Sequence, residues 1–175
     1  NVYFLARTTT PWTLPSNLAL AVHPGIGYVR VQDDGVQYVL AEDRVAVYYG
    51  DEPPEVLEHL RGRDLVGRQY EPLFPYFSHL RDKGAFRIVE ADFVGTEAGT
   101  GLVHMAPGFG EDDHRVGLEN GIPAICPVDG ECRFTDEVPD YEGRQVKETD
   151  SDIVRRLKKE GKLVHRSVYV HSYPP

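Results

Sequence analysis

The stretch GTGLVHMAPGFGEDDHRVGLENG, residues 99 to 121, changes its period partway along. GLVHMA (101 to 106) alternates as a strand does, whereas EDDHRVGLENG (111 to 121) has helical spacing and stops at Gly121, as helices often do. Pro107, Gly108 and Gly110 break both periods between them. A strand and a helix are thus joined by a tight loop that delivers three consecutive acids, Glu111, Asp112 and Asp113, to the first helical turn. Acids there can accept free backbone N–H groups and suit the positive end of the helix dipole. Capping does not require all three, and glycines at 99, 101, 108 and 110 let the backbone approach a ligand closely. A pocket for a cationic group is the second reading of the same residues.

Working outward, the same mixture continues in both directions. VYFLAR (2 to 7), GYVRVQ (27 to 32), VQYVLA (36 to 41) and FRIVEADFV (86 to 94) read as strands, with DDG at 33 to 35 as a turn. The first forty residues suggest a small antiparallel sheet. Helices are expected at 42 to 50, at 53 to 62 between proline and glycine boundaries, and at 149 to 160, followed by a strand at 163 to 171. Short strands and helices without regular βα alternation predict an α+β domain, a mixed β-barrel-like sheet system with several short helices packed around it.

The 175 residues suffice for one domain with a real core, and 41% hydrophobic with 27% charged residues is an ordinary globular composition. No apolar run approaches the roughly 20 residues that a membrane-spanning helix needs. The formal charge of −9 argues against a surface that holds nucleic acid chiefly by counterion release. Met105 is the only methionine and the chain begins at Asn1, so residues 1 to 175 are expected to be a single domain from a larger protein. Two cysteines, Cys126 and Cys132, are too few for a disulfide framework, and a reducing, cytoplasmic setting is expected.

A second cluster is ARTTTPWTLPSNLA (6 to 19), where Thr8, Thr9, Thr10 and Thr13 surround Pro11 and Trp12. Threonines of this kind can form an exposed strand edge. They can equally hydrogen-bond a sugar or orient a water without adding charge. Other chemistries lack their parts: the cysteines have no second pair for zinc, His104 and His114 form no HExxH arrangement, and neither a GxSxG elbow nor a P-loop is present.

Three segments, TTTPWTLPSNLALAVHP (8 to 24), YEPLFPYF (70 to 77) and GTGLVHMAPGFGEDD (99 to 113), carry a resemblance that spans essentially the whole chain. Together they closely resemble the editing domain inserted in isoleucyl-tRNA synthetases, of the class I aminoacyl-tRNA synthetase family. Valyl enzymes typically carry TTRPET and a lysine where this chain has His104, and leucyl enzymes TTRPDT and a methionine. The HIGH and KMSKS signatures of the synthetic site are absent, so the resemblance implies proofreading without aminoacylation, and no metal or cofactor for editing. ATP and Mg would serve only a separate synthetic site in the parent enzyme.

The implied activity is hydrolysis of valine misattached to isoleucine tRNA. This family is itself the standard example of double-sieve editing. By motif position Asp113 matches the essential aspartate, suited to pair with the substrate's α-ammonium, while Glu111 and Asp112 remain helix-start acids. His104 would form the wall that admits valine and rejects isoleucine. Thr8, Thr9 and Thr10, with Trp12 and Thr13, match the segment that contacts the terminal adenosine and the aminoacyl group, and Gly99, Thr100 and Gly101 complete the substrate-binding set. The implied partners are the aminoacylated CCA end of the tRNA and the remainder of the synthetase in cis, with no membrane. Three alternatives stand beside this: a valyl-type editor acting on threonyl-tRNA, a non-catalytic module docking the tRNA end, and additional clearance of valyl-adenylate.

Overall fold

Asp34 and Gly35, both at positive φ (50° and 81°), turn the chain between two paired strands at Gly27–Asp33 and Val36–Ala41. Two left-handed residues match the right-handed twist of a hairpin, which is why the DDG signal holds. The computed structural model describes residues 2–164. Within them the strands are β1 (Val2–Phe4), β2 (Ala19–Val22), β3 (Gly27–Asp33), β4 (Val36–Ala41), β5 (Glu55–Arg61), β6 (Arg87–Glu90) and β7 (Val103–Met105). The α-helices are α1 (Val45–Tyr49), α2 (Gly62–Leu65), α3 (Glu111–Glu119) and α4 (Asp150–Lys159). Short 3-10 helices, among them Pro11–Ser16 and Pro75–Lys83, fill the connections. The strand expected at 163 to 171 lies almost wholly outside the described residues.

The strands form two sheets, ordered β1-β4-β3-β5 and β6-β2-β7. Each mixes directions: β1 runs parallel to β4 and β2 parallel to β6, while β3 is antiparallel to both neighbours and β2 to β7. The α+β class is as expected, with two corrections. Neither sheet closes on itself among the described residues, so the barrel-like arrangement is two open sheets sharing an apolar layer. The first forty residues do not make one antiparallel sheet, because β1 pairs parallel and β2 belongs to the second sheet.

Residues 53 to 62 overturn the helix expected there. Val56, Leu57 and Leu60 fit helical spacing, yet the segment forms β5 on the open edge of β3, where unpaired backbone groups outweigh a short helix's local preference. Gly62 does not stop a helix but begins α2. A Cβ there would lie 1.9 Å from the His23 carbonyl oxygen, so only glycine fits the crossing.

All four residues of β2 are buried, which places this strand at the centre of the molecule. Leu20 and Val22 face a layer shared with Tyr28, Val39, Ala41 and Ile88, joining the two sheets. Ala19 and Ala21 face a larger core in which Phe74, Phe86, Met105 and Phe134 meet Ile153 and Leu157 of α4. The segments on either side of β2 and β7 consequently emerge from a rigid centre, and both lead into the site described next.

Candidate active site

One cavity of about 570 Å³ collects both sequence clusters. Its lining includes Thr8, Thr9, Thr10 and Thr13 from the threonine segment, and His104, Phe109 and Asp113 from the strand, loop and helix that follow residue 102. Gly99, Thr100 and Gly101 line it as well.

The threonines do not form a strand edge. Thr10 N–H donates to Thr8 Oγ1 at 3.0 Å, a local turn that leads into the 3-10 helix Pro11–Ser16. Thr13 donates its hydroxyl to the Thr10 carbonyl at 2.9 Å, and Oγ1 of Thr10 lies 3.3 Å from that of Thr13. Thr9 is exposed at the cavity, and its hydroxyl makes no hydrogen bond among the described residues. Trp12 is placed differently from the others. Its indole packs edge-on against Phe109, with centroids 5.2 Å apart, and supports the cavity wall without joining the lining. Its backbone N–H donates to Asp150 Oδ1 at 2.9 Å, so the start of α4 holds the 3-10 helix in place.

His104 stands on β7 opposite Leu20 of β2. Both ring nitrogens are engaged. Asn17 Nδ2 donates to the Ala19 carbonyl at 2.9 Å and to His104 Nδ1 at 2.8 Å. With Nδ1 accepting, Nε2 carries the proton and donates to Thr13 Oγ1 at 3.0 Å. Burial pushes the imidazole pKa down to about 4, so the ring is neutral at pH 7. The wall at this point is therefore a fixed, uncharged aromatic edge.

Asp113 occupies the third position of α3, after Gly110, which makes no side-chain cap. Its Oδ2 accepts the Ala106 N–H at 2.9 Å, across the loop that leaves β7. Burial raises the carboxyl pKa; the Ala106 hydrogen bond opposes that, and neighbouring Asp112 reinforces it. Among the described residues no Lys or Arg forms an ion pair with Asp113. Glu111 and Asp112 point away into solvent, and Asp112 pairs with Arg115 at 3.7 Å. The three acids thus separate into two on the helix surface and one at the cavity.

The segment 99 to 101 serves through its backbone. Arg44 Nε and the Tyr48 hydroxyl donate to the Gly99 carbonyl at 2.7 and 2.9 Å, and the Tyr28 hydroxyl donates to the Gly101 carbonyl at 2.5 Å. Thr100 turns its hydroxyl to the Leu5 carbonyl and is buried. Gly101 has φ of 86°, and a Cβ there would sit 2.5 Å from that of Ala41.

Sequence reasoning did not single out Asn17, Arg7 or Phe109. Asn17 alone left a signal, a lone amide at the head of the apolar run LALAV. Among the described residues no three His, Cys, Asp or Glu side chains converge to hold a metal ion, and Cys126 and Cys132 are free, exposed thiols. No described helix is long and apolar enough to cross a membrane.

Comparison with known proteins agrees in fold. The chain superposes on the CP1 domain of a leucyl-tRNA synthetase with a TM-score of 0.74 at 15% identity, covering 95% of this chain and 84% of that one. It also superposes on the editing domain of the Plasmodium falciparum cytosolic leucyl-tRNA synthetase, lacking two insertions, with a TM-score of 0.64 at 10% identity, covering 91% and 76%. The fold is that of the CP1 editing domain of class I aminoacyl-tRNA synthetases. No family model matches the chain.

Sequence relatives define the branch. The chain is 53% identical to the isoleucine–tRNA ligase of Bdellovibrio bacteriovorus over 97% of its length, and 48% identical to that of Treponema denticola over 99%. The corresponding enzyme of Chlamydia muridarum is 50% identical over 97%. The chain belongs to the isoleucine–tRNA ligase family and has the fold of the CP1 editing domain. It spans 16 to 17% of the length of these relatives.

Proposed function

We propose that this domain hydrolyses valine wrongly esterified to isoleucine tRNA, acting as the proofreading unit of a larger synthetase. The observation that carries the reading is Asp113, a half-buried carboxylate that lines the cavity and forms no ion pair among the described residues, with Arg7 elsewhere in the lining. An aminoacyl ester brings an α-ammonium group, which would offset the cost of burying that carboxylate and fix the adjacent carbonyl. On the same corner of the cavity, the neutral His104 edge would limit the length of the side chain admitted. A wall held by hydrogen bonds on both nitrogens yields little, so a shorter side chain fits and a longer one clashes.

Hydrolysis then requires a positioned water and a stabilised oxyanion. Hydroxyls of Thr8, Thr9 and Thr10 are the groups available for both, and Thr9 is the one free of internal hydrogen bonds among the described residues. Orientation of an activated ester beside a held water supplies most of what this reaction needs. The ribose and base of the terminal adenosine would lie toward Gly99, Thr100 and Gly101, which line the cavity. The remaining synthetase would hold the tRNA body, consistent with a net charge of −9 here.

Deacylation of valyl, threonyl and isoleucyl esters of the same isoleucine tRNA tests the reading. Valyl ester is expected to be hydrolysed fastest. Preference for the threonyl ester would indicate a valyl-type editor, and no hydrolysis of any ester would reduce the domain to a docking module. Valyl-adenylate, small enough for the same cavity, is the fourth substrate to include.

A further inference from the structure

Tyr70 opens the segment YEPLFPYF and lies outside the cavity lining, yet it is joined to His104 through one residue. Its hydroxyl donates a short hydrogen bond to Asn17 Oδ1. Asn17 in turn gives one amide proton to the Ala19 carbonyl and the other to His104 Nδ1. Every hydrogen-bonding atom of the Asn17 side chain is thereby used, and the direction of each bond is set.

Tyr70 is itself held firmly. Its backbone N–H donates to the Phe86 carbonyl at 3.0 Å, and Arg81 Nη2 donates to its carbonyl at 2.7 Å. Its ring meets Phe86 edge-on at 6.1 Å and 87°. Burial raises the phenol far above its ordinary pKa, so the hydroxyl remains a proton donor at any physiological pH.

We infer that Tyr70 is a positioning residue for the selectivity wall, fixing the tautomer and the ring plane of His104 through Asn17. The inference rests on the role proposed for His104 above. A donor on Oδ1 polarises the amide and strengthens the Nδ2–H donor that faces Nδ1. Without it, Oδ1 is left unpaired in a buried setting, and the amide gains reason to rotate toward another partner. Nδ1 then loses its donor for part of the time, and the ring can take the other tautomer or a proton.

Histidine-selective ¹⁵N NMR of the chain, with a pH titration, reads this directly. The wild type is expected to show one tautomer, protonated at Nε2. Tyr70→Phe is expected to show a second tautomer or an upward-moving titration, together with a fall of about fivefold in the preference for valyl over isoleucyl ester, the size of one net hydrogen bond. Incorporation of 3-fluorotyrosine at position 70 preserves the packing and makes a stronger donor, so it decides the matter even where Tyr70→Phe fails to fold. It should move the Nδ1 resonance further toward that of a hydrogen-bonded acceptor. A His104 tautomer and titration unchanged in Tyr70→Phe, or an Nδ1 resonance unmoved by the fluorine, overturns the positioning role. A wild type with the expected spectrum but no ester hydrolysis overturns the proposed function instead, and leaves the positioning role standing.

Discussion

Asp113 Oδ2 accepts the backbone N–H of Ala106 at 2.9 Å, which ties the first turn of α3 to the residue that follows β7. His104 lies on that same strand, two residues before Ala106. The carboxylate and the imidazole are thus mounted on one rigid corner, and their separation cannot drift independently of the loop between them. Gly108 makes that corner tight, since a Cβ there would fall 1.8 Å from the Ile125 carbonyl oxygen.

Asp113→Asn keeps the acceptor for Ala106 and removes the charge. Deacylation of valyl ester is expected to fall by about ten- to a hundredfold in kcat/KM, as loss of a charge-assisted hydrogen bond costs roughly 1.5–3 kcal/mol. Thermal stability should change little. Single-turnover deacylation beside a melting curve checks both, and an unimpaired rate would remove Asp113 from the site.

His104→Ala opens the wall. Isoleucyl ester should become a substrate, and the ratio of valyl to isoleucyl hydrolysis should drop by about ten- to a hundredfold, the discrimination available from one methylene, for which this family is itself a reference case. The valyl rate alone should move much less. Parallel assays with the two esters give the ratio.

The pH dependence of stability follows from the His104 pKa, pushed down to about 4 from 6.5. In the unfolded chain the ring binds a proton below 6.5, whereas in the folded chain it stays neutral until about 4. Unfolding therefore takes up a proton between these values, and stability is full above pH 6.5 and lost progressively as pH falls toward 4. The contribution is on the order of 1–3 kcal/mol, discounted because the ring is only partly enclosed. Urea titrations from pH 4 to 8, with His104→Gln as control, should show the slope flatten in the variant.

Gly101→Ala tests the floor of the cavity. At φ of 86° and with Ala41 Cβ only 2.5 Å from the new methyl, the change combines backbone strain with overpacking. A loss of roughly 2–4 kcal/mol is expected. In a domain of this size that lowers Tm by roughly 5–15 °C, measurable by calorimetry.

How far the sequence revealed this molecule differs from segment to segment. The hairpin at 33 to 36 was legible because two consecutive left-handed positions need Asp and Gly, and α3 because its acids and Gly121 bracket a helical period. Residues 55 to 61 were not, since a short apolar spacing serves helix or strand equally and the decision belongs to β3, some thirty residues away. At the site, the resemblance named His104, Asp113 and the threonines, and these do line one cavity. Hydrogen bonds across 53 and 87 residues, from Tyr70 to Asn17 and from Asn17 to His104, leave no local pattern to read. Thr100 and Trp12 show the reverse case, for the motif placed them at the site but the Thr100 hydroxyl turns to the Leu5 carbonyl and the Trp12 ring packs on Phe109 outside the lining.

The bond from Trp12 N–H to Asp150 Oδ1 spans 138 positions of sequence and joins the threonine turn to the first residue of α4. Its geometry makes that helix a handle on the hydroxyls. Thr13 and α4 are therefore parts of one braced unit, and the register of the threonine turn is set by a helix that contributes no residue to the cavity lining.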